Sequence, residues 1–120
     1  MNMSKNNPDA KTGALFRLIS HPTRLKIIQE IGRGEACVCH LEAQLGLRQA
    51  YLSQHLMALR DAGILETQRD GRFIYYRLVN PEILNIIQDA MNFTGSSNAQ
   101  NPESKQSKRA CCCPKCSPES

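Results

Sequence analysis

The sequence predicts a mainly α domain that carries one β-hairpin, and three observations lead there. Apolar residues recur at helical spacing through most of the chain up to Gly63. After Gly63 the period changes from that of a helix to that of a strand. Ile64–Arg69 and Arg72–Leu78 are β-branched or aromatic-rich runs, with Asp70-Gly71 between them as a hairpin signal. A helical pattern returns between Asn80 and Met91. Two helices, a helix-turn-helix, a hairpin and a closing helix make the order of a winged helix-turn-helix.

Each element has a local reason. Residues 1–10 are polar and read as a flexible arm. From Lys11, Leu15, Leu18 and Ile19 mark a first helix. Pro22 starts a second, because its fixed φ and missing N–H suit a first turn, and His21 stands where a cap would be. Leu25, Ile27, Ile28 and Ile31 form its buried stripe, and Gly32-Arg33-Gly34 ends it. Glu35–Val38 reads as a loop. A two-turn helix over Cys39–Leu45 follows, closed by Gly46 at a position suited to a left-handed cap, with His40 on its surface. Leu47 and Arg48 make the turn into a helix over Gln49–Ala62, whose Leu52, Leu56 and Leu59 face inward. Asn80 caps the last helix with Pro81 at its first position, and Ile83, Leu84, Ile86, Ile87 and Met91 give it a broad apolar face. The folded domain is thus expected over residues 11–93. Residues 94–110 have a linker composition of Ser, Asn, Gln, Lys and Pro, and residues 111–120 form a Cys-rich tail.

The chain has 120 residues and no Trp, so its core is small and dimerisation is a natural way to complete it. A formal net charge of +4 is compatible with an anionic partner. No apolar run approaches the ~20 residues that span a bilayer. The first residues carry no apolar signal region. The expectation is a cytoplasmic protein without membrane association, whose six cysteines are thiols rather than disulfides.

In a helix-turn-helix the second helix enters the major groove of DNA and its first residues meet base edges. The outward candidates are Gln49, Tyr51, Ser53, Gln54 and His55, the last with packing or a phosphate contact as alternatives. Arg48 and Arg60 are candidates for phosphates. Arg69 and Arg72 flank the hairpin tip and would reach the neighbouring minor groove. Cys37 and Cys39, one residue apart beside this unit, are placed to share one soft ion. Cys39 begins a helix, where the dipole favours the thiolate. In the tail, Cys111, Cys112, Cys113 and Cys116 put four thiols within six residues.

The stretch from about Leu15 to Met91 resembles the ArsR/SmtB family of metal(loid)-responsive repressors. His21-Pro22-Thr23-Arg24-Leu25-Lys26-Ile27 is similar to the family's D-P-T-R-L-x-I segment. Cys37-Val38-Cys39-His40-Leu41 is similar to its C-V-C-D-L metal box. Ser53-Gln54-His55-Leu56, continuing to Leu59-Arg60-Asp61-Ala62-Gly63-Ile64, resembles its recognition helix. Gly71-Arg72-Phe73-Ile74-Tyr75-Tyr76-Arg77-Leu78 resembles its wing. The resemblance implies a homodimer paired through its first and last helices, bound to double-stranded operator DNA until an ion binds, most like the arsenic-sensing branch.

Two departures bear on the ligand. Where arsenite sensors of the family carry a third cysteine, three residues after the second, this chain has Glu42, and His40 replaces the usual Asp. Pro81–Phe93 holds no His and only Glu82 and Asp89 as carboxylates, which argues against the family's other site, for zinc. Cysteine-only ligation favours soft ions, among them As(III), Sb(III), Cd(II), Pb(II) and Cu(I); the resemblance to the arsenic-sensing branch puts As(III) or Sb(III) first, with Cd(II) or Pb(II) as alternatives. The third thiol is expected from the tail, since the linker has an r.m.s. span of ~20–25 Å, comparable to the width of such a domain. A thiol-redox switch on the same fold is the rival reading. An enzyme is not expected: Cys113-Pro114-Lys115-Cys116 has the form of a redox motif but no folded scaffold, and six residues are too few for a zinc knuckle's core.

Overall fold

The computed structural model describes residues 7–95. Five helices and three strands follow in the order α1 (Pro8–Ile19), α2 (Pro22–Ile31), β1 (Glu35–Cys37), α3 (Val38–Leu45), α4 (Gln49–Asp61), β2 (Leu65–Asp70), β3 (Phe73–Leu78) and α5 (Glu82–Phe93). This is the winged helix-turn-helix that the sequence predicts, with α3 and α4 as the helical pair and β2–β3 as the wing.

Helix α1 starts earlier than expected, inside the stretch assigned to the arm. The Oδ1 of Asn7 accepts from the N–H groups of Asp9 and Ala10 at 2.8 and 3.3 Å, and Pro8 occupies the first turn. An Asn cap followed by Pro is a complete helix start, and a polar composition hides it. At the other end Asn80 accepts from the Glu82 N–H at 3.0 Å, as its capping role requires, and Pro81 sits at the helix boundary. Gly46 closes α3 at φ 68, in the left-handed region expected of it.

The stretch Glu35–Cys37, expected as loop, is a strand. It pairs antiparallel with β3 in the register Glu35↔Arg77, Ala36↔Tyr76 and Cys37↔Tyr75, so the sheet has the order β1-β3-β2. The inner edge of β3 needs a backbone partner, and three residues satisfy it. So short a run carries no detectable period. The hairpin turn also shifts by one residue. Asp70 pairs with Phe73, which leaves Gly71-Arg72 as the two-residue loop, with Gly71 at φ 68.

Helix α2 lies at the centre and packs on α1, α3, α4, α5 and both β1 and β3. Its Ile27, Ile28 and Ile31 meet Leu41 of α3, Leu52, Leu56 and Leu59 of α4, Leu65 and Leu78 of the wing's base, and Ile83 and Ile87 of α5. The inward stripe predicted for α4 is therefore the one observed. Leu56→Ala is expected to cost about 2–5 kcal/mol, through lost burial and the cavity left behind. A urea denaturation series would show it as a lowered midpoint with an unchanged slope.

Candidate functional site

The first turns of α4 present Gln49, Ala50, Tyr51 and Gln54 to solvent, with Ser53 half-buried and Arg60 exposed near the C-terminal end. Met57 is exposed on the same helix and was not among the residues picked out from sequence. Arg48 is exposed at the N-cap position, and Arg69 and Arg72 are exposed on the wing. The structure shows ion pairs His40–Glu30 and Arg77–Glu66, and neither engages Arg48, Arg60, Arg69 or Arg72.

His55, an outward candidate with packing as an alternative, packs. It is 6% exposed, because it stands three residues after Leu52 and four before Leu59, within the apolar face of the helix. Arg24 holds it: the guanidinium Nε donates to His55 Nδ1 at 3.1 Å, and Nη1 donates to the Leu18 carbonyl at 3.0 Å. As Nδ1 accepts, the neutral ring carries its proton on Nε2. The ring packs edge-on against Tyr51 and His21, with centroids 4.7 and 4.5 Å apart. His21 stands at the cap position of α2, yet its side chain makes no capping bond; it joins this cluster instead. The Tyr51 hydroxyl lies 3.4 Å from Thr23 Oγ1, so the exposed ring of Tyr51 is steadied from two sides. The start of α2 thereby grips α4 by its side chains.

The two thiols occupy the other end of the helical pair. Cys37 ends β1 and is itself the N-cap of α3, where its Sγ accepts from the His40 N–H at 3.3 Å. The helix begins at Val38 rather than at Cys39, so both thiols belong to its first turn. Their sulfurs approach to 2.8 Å, with no disulfide joining them. Cys37 packs with Tyr75 of β3, and Cys39 and Phe73 lie against that pair. Cys37 and Cys39 line a cleft of about 300 Å³, together with Val38, Glu42, Gln49, Arg72, Phe73 and Ile74. The cleft therefore spans α3, the first residue of α4 and the wing tip. The approach of the wing depends on the β1–β3 pairing, which sequence alone did not reveal.

His40, expected on the surface, is half-buried and committed elsewhere: its Nε2 is 3.0 Å from a carboxylate oxygen of Glu30 on α2. Among the described residues no group of three or more His, Cys, Asp or Glu side chains converges as a metal site. Cys111, Cys112, Cys113 and Cys116 lie outside the described residues. A third surface feature is an apolar groove of about 410 Å³ between α1, α2 and α5, lined in part by Phe16, Ile19, Leu25, Ile86 and Met91.

Burial first, then the neighbouring His21 and Arg24, holds His55 below its ordinary value of 6.5. The folded protein thus favours the neutral ring, while the unfolded chain takes up a proton as the pH falls through about 6.5. The stability this group contributes is complete above that pH and is lost as the pH falls towards the depressed folded value. Thermal unfolding followed from about pH 7.5 down to about pH 5 should show Tm falling, and His55→Gln should flatten that part of the profile. Arg24→Ala leaves the buried Nδ1 without its donor and should cost about 1–3 kcal/mol in urea.

Comparison with known proteins agrees with this architecture. The family model for bacterial regulatory proteins of the arsR family matches residues 21–67, from His21 to the start of the wing. The biofilm growth-associated repressor of Agrobacterium fabrum is 40% identical over 74 residues, which are 62% of this chain and 63% of that protein. The arsenic resistance transcriptional regulator ArsR1 of Pseudomonas putida is 44% identical over 70 residues, 58% of this chain and 54% of that one. The chain thus spans less than two thirds of the length of these relatives. Among solved structures, HlyU from Vibrio cholerae superposes with a TM-score of 0.66 at 31% identity, covering 76% of this chain and 97% of that one. With its motifs, its helix order and its wing all matched, the chain belongs to the ArsR family of bacterial regulatory proteins.

Proposed function

We propose that this protein is a metalloid-responsive transcriptional repressor, a homodimer that binds operator DNA and leaves it when its thiols capture a soft ion, As(III) or Sb(III). The observation that carries this reading is the convergence of Cys37 and Cys39 at 2.8 Å in a cleft that also contains Gln49 and Arg72. A ligand held by the two sulfurs sits between one residue expected to face bases and one expected to face phosphate.

The DNA-bound state uses α4 in the major groove, with Gln49, Tyr51, Ser53 and Gln54 towards bases and Arg48 and Arg60 towards phosphates. The wing adds Arg69 and Arg72. Homodimerisation through α1 and α5 is supported by the apolar groove there and by the exposure of Phe16, 52%, and Ile86, 37%. Burying such side chains against a second copy completes a core that one small chain leaves short. The two α4 helices must then present themselves about one duplex turn apart, ~34 Å, so a small displacement in each protomer is doubled by symmetry.

The ligand set fits in part. Two thiols are in place, and a trigonal arsenic centre needs a third, which Glu42 and His40 do not supply. A tail cysteine, from Cys111, Cys112, Cys113 or Cys116, is the donor we assign to inorganic arsenite. Cys37 caps α3, so drawing both sulfurs onto one ion strains the first turn of that helix and the wing packed upon it. A coupling of ~1–3 kcal/mol weakens operator binding ~5- to 150-fold. The two thiols also suit Cd(II) or Pb(II). Helix α5 offers only Glu82 and Asp89, so zinc is not assigned there.

The same close approach of sulfurs favours a second reading, in which peroxide or polysulfide oxidises the thiols and no ion is involved. Fluorescence anisotropy of the reduced protein on DNA from upstream of its own gene separates the two. Arsenite should release the DNA at concentrations where zinc does nothing; release by peroxide alone would transfer the assignment to the redox switch. Cys37→Ser with Cys39→Ser should stay bound at any arsenite concentration. Arg72→Ala should weaken DNA binding and reduce the slope of log K against log salt by about 0.9, the share of one phosphate contact.

A further inference from the structure

We propose that Thr23, on α2, belongs to the DNA interface: its hydroxyl and that of Tyr51 on α4 hold one backbone phosphate between them, and Lys26 supplies the charge. The inference rests on the reading of α4 as the DNA-facing helix, and within that reading it moves the Tyr51 hydroxyl from the bases to the backbone.

Tyr51 does not stand free on α4. Its hydroxyl lies 3.4 Å from Thr23 Oγ1, and its ring packs edge-on against His55 with centroids 4.7 Å apart. His55 is in turn held by the Arg24 guanidinium at 3.1 Å. The hydroxyl is therefore drawn to the start of α2. A helix in the major groove is flanked on both sides by sugar-phosphate backbone, so a group drawn towards a neighbouring helix meets the wall of the groove rather than its floor. The brace behind the ring is in place before DNA arrives, which lowers the ordering cost of the contact.

The two hydroxyls suit a shared anion. At 3.4 Å they are farther apart than the ~2.7–2.8 Å of a good O–H···O bond, so neither proton is firmly committed to the other oxygen. Each hydroxyl carries one donor, and both can turn to a phosphate that bridges them. Tyr51 is 42% exposed and Thr23 half-buried, so the pair is reached from solvent. Lys26 is exposed three residues after Thr23, a spacing that puts both on one face of α2, and neither the His40–Glu30 nor the Arg77–Glu66 pair engages it. Residues 20–29 and 49–60 contain no carboxylate, so nothing on these two segments repels a phosphate. A hydrogen bond from a hydroxyl to an ionised oxygen is shorter and stronger than one to a neutral oxygen.

The test measures the affinity of the full, reduced chain for the same upstream duplex and for an unrelated duplex of equal length, by fluorescence anisotropy at low salt. Tyr51→Phe keeps the ring against His55 and Thr23→Val keeps the shape of the side chain, and thermal unfolding at the parent's Tm reports that each variant is folded. Each should weaken binding to both duplexes by about five- to tenfold and leave their ratio within about twofold. The double variant should be little weaker than either single one, because the same phosphate is lost in both. Thr23→Ser should restore the parent's affinity. Lys26→Gln should reduce the slope of log K against log salt by about 0.9, whereas Tyr51→Phe should leave it unchanged. A loss confined to the upstream duplex would mean that the Tyr51 hydroxyl reads bases, and this inference would fall while the DNA-facing role of α4 stands. Full affinity in both Tyr51→Phe and Thr23→Val, strictly additive losses, or an unchanged slope in Lys26→Gln would overturn it as well. If the parent binds neither duplex, the reading of α4 falls with it.

Discussion

The candidate thiol site depends on three residue pairs between β1 and β3, because they bring Cys37 to the wing's inner strand. Without them, Cys37 and Cys39 would sit on a loop ahead of a helix, near the DNA-facing unit in sequence but with no defined relation to it. The pairing of Cys37 with Tyr75 seats the first sulfur against the wing's inner strand. The cap that Cys37 makes on α3 then fixes the second sulfur beside it. Backbone hydrogen bonding, which is insensitive to side-chain identity, thus sets the geometry of a site whose chemistry lies wholly in side chains.

The packing of α4 on α1 and α2 is held by a different device. Arg24 bridges the Leu18 carbonyl at the end of α1 to the His55 ring on α4, and His21 and Tyr51 close around that ring. One guanidinium therefore joins α1, which carries Phe16 on the apolar groove, to α4. Both hydrogen bonds are part-buried, so losing Arg24 would leave the His55 Nδ1 acceptor without its donor. Under the proposed function, dimer geometry and DNA geometry are linked through Arg24, while the thiol cleft acts on α3 and the wing from the other side. Two constraints converge on α4, and ligand capture disturbs only one of them.

The arrangement also explains why Glu42 and His40 stand where they do. His40 is drawn to Glu30 and tethers α3 to α2. Glu42 remains in the cleft as a polar lining residue. Neither adds a sulfur, so among the described residues the cleft holds two thiols and no third. Arg77 and Glu66, paired across the wing at 2.7 Å but half-exposed, contribute little stability.

Much of this was determined by the sequence alone. Helix periodicity, Pro22, Gly46 and the change of period after Gly63 define five helices and a hairpin, since these signals are local and act within a few residues of the chain. The spacing of Cys37 and Cys39, and the arginines on either side of Gly71, likewise mark both halves of the candidate site. The tertiary structure alone decided three things. Cys37 lies on a strand, because the unsatisfied edge of β3 recruits a segment too short to announce itself. His55 turns inward, because its place beside Leu52 and Leu59 and its bond to Arg24 outweigh the polarity of its ring. The thiols share a cleft with Gln49 and Arg72, because Arg72, more than thirty positions along the chain from either cysteine, meets them only when the sheet closes. Local preference writes the elements of this chain, and contact between distant segments, which no window of sequence contains, composes the site.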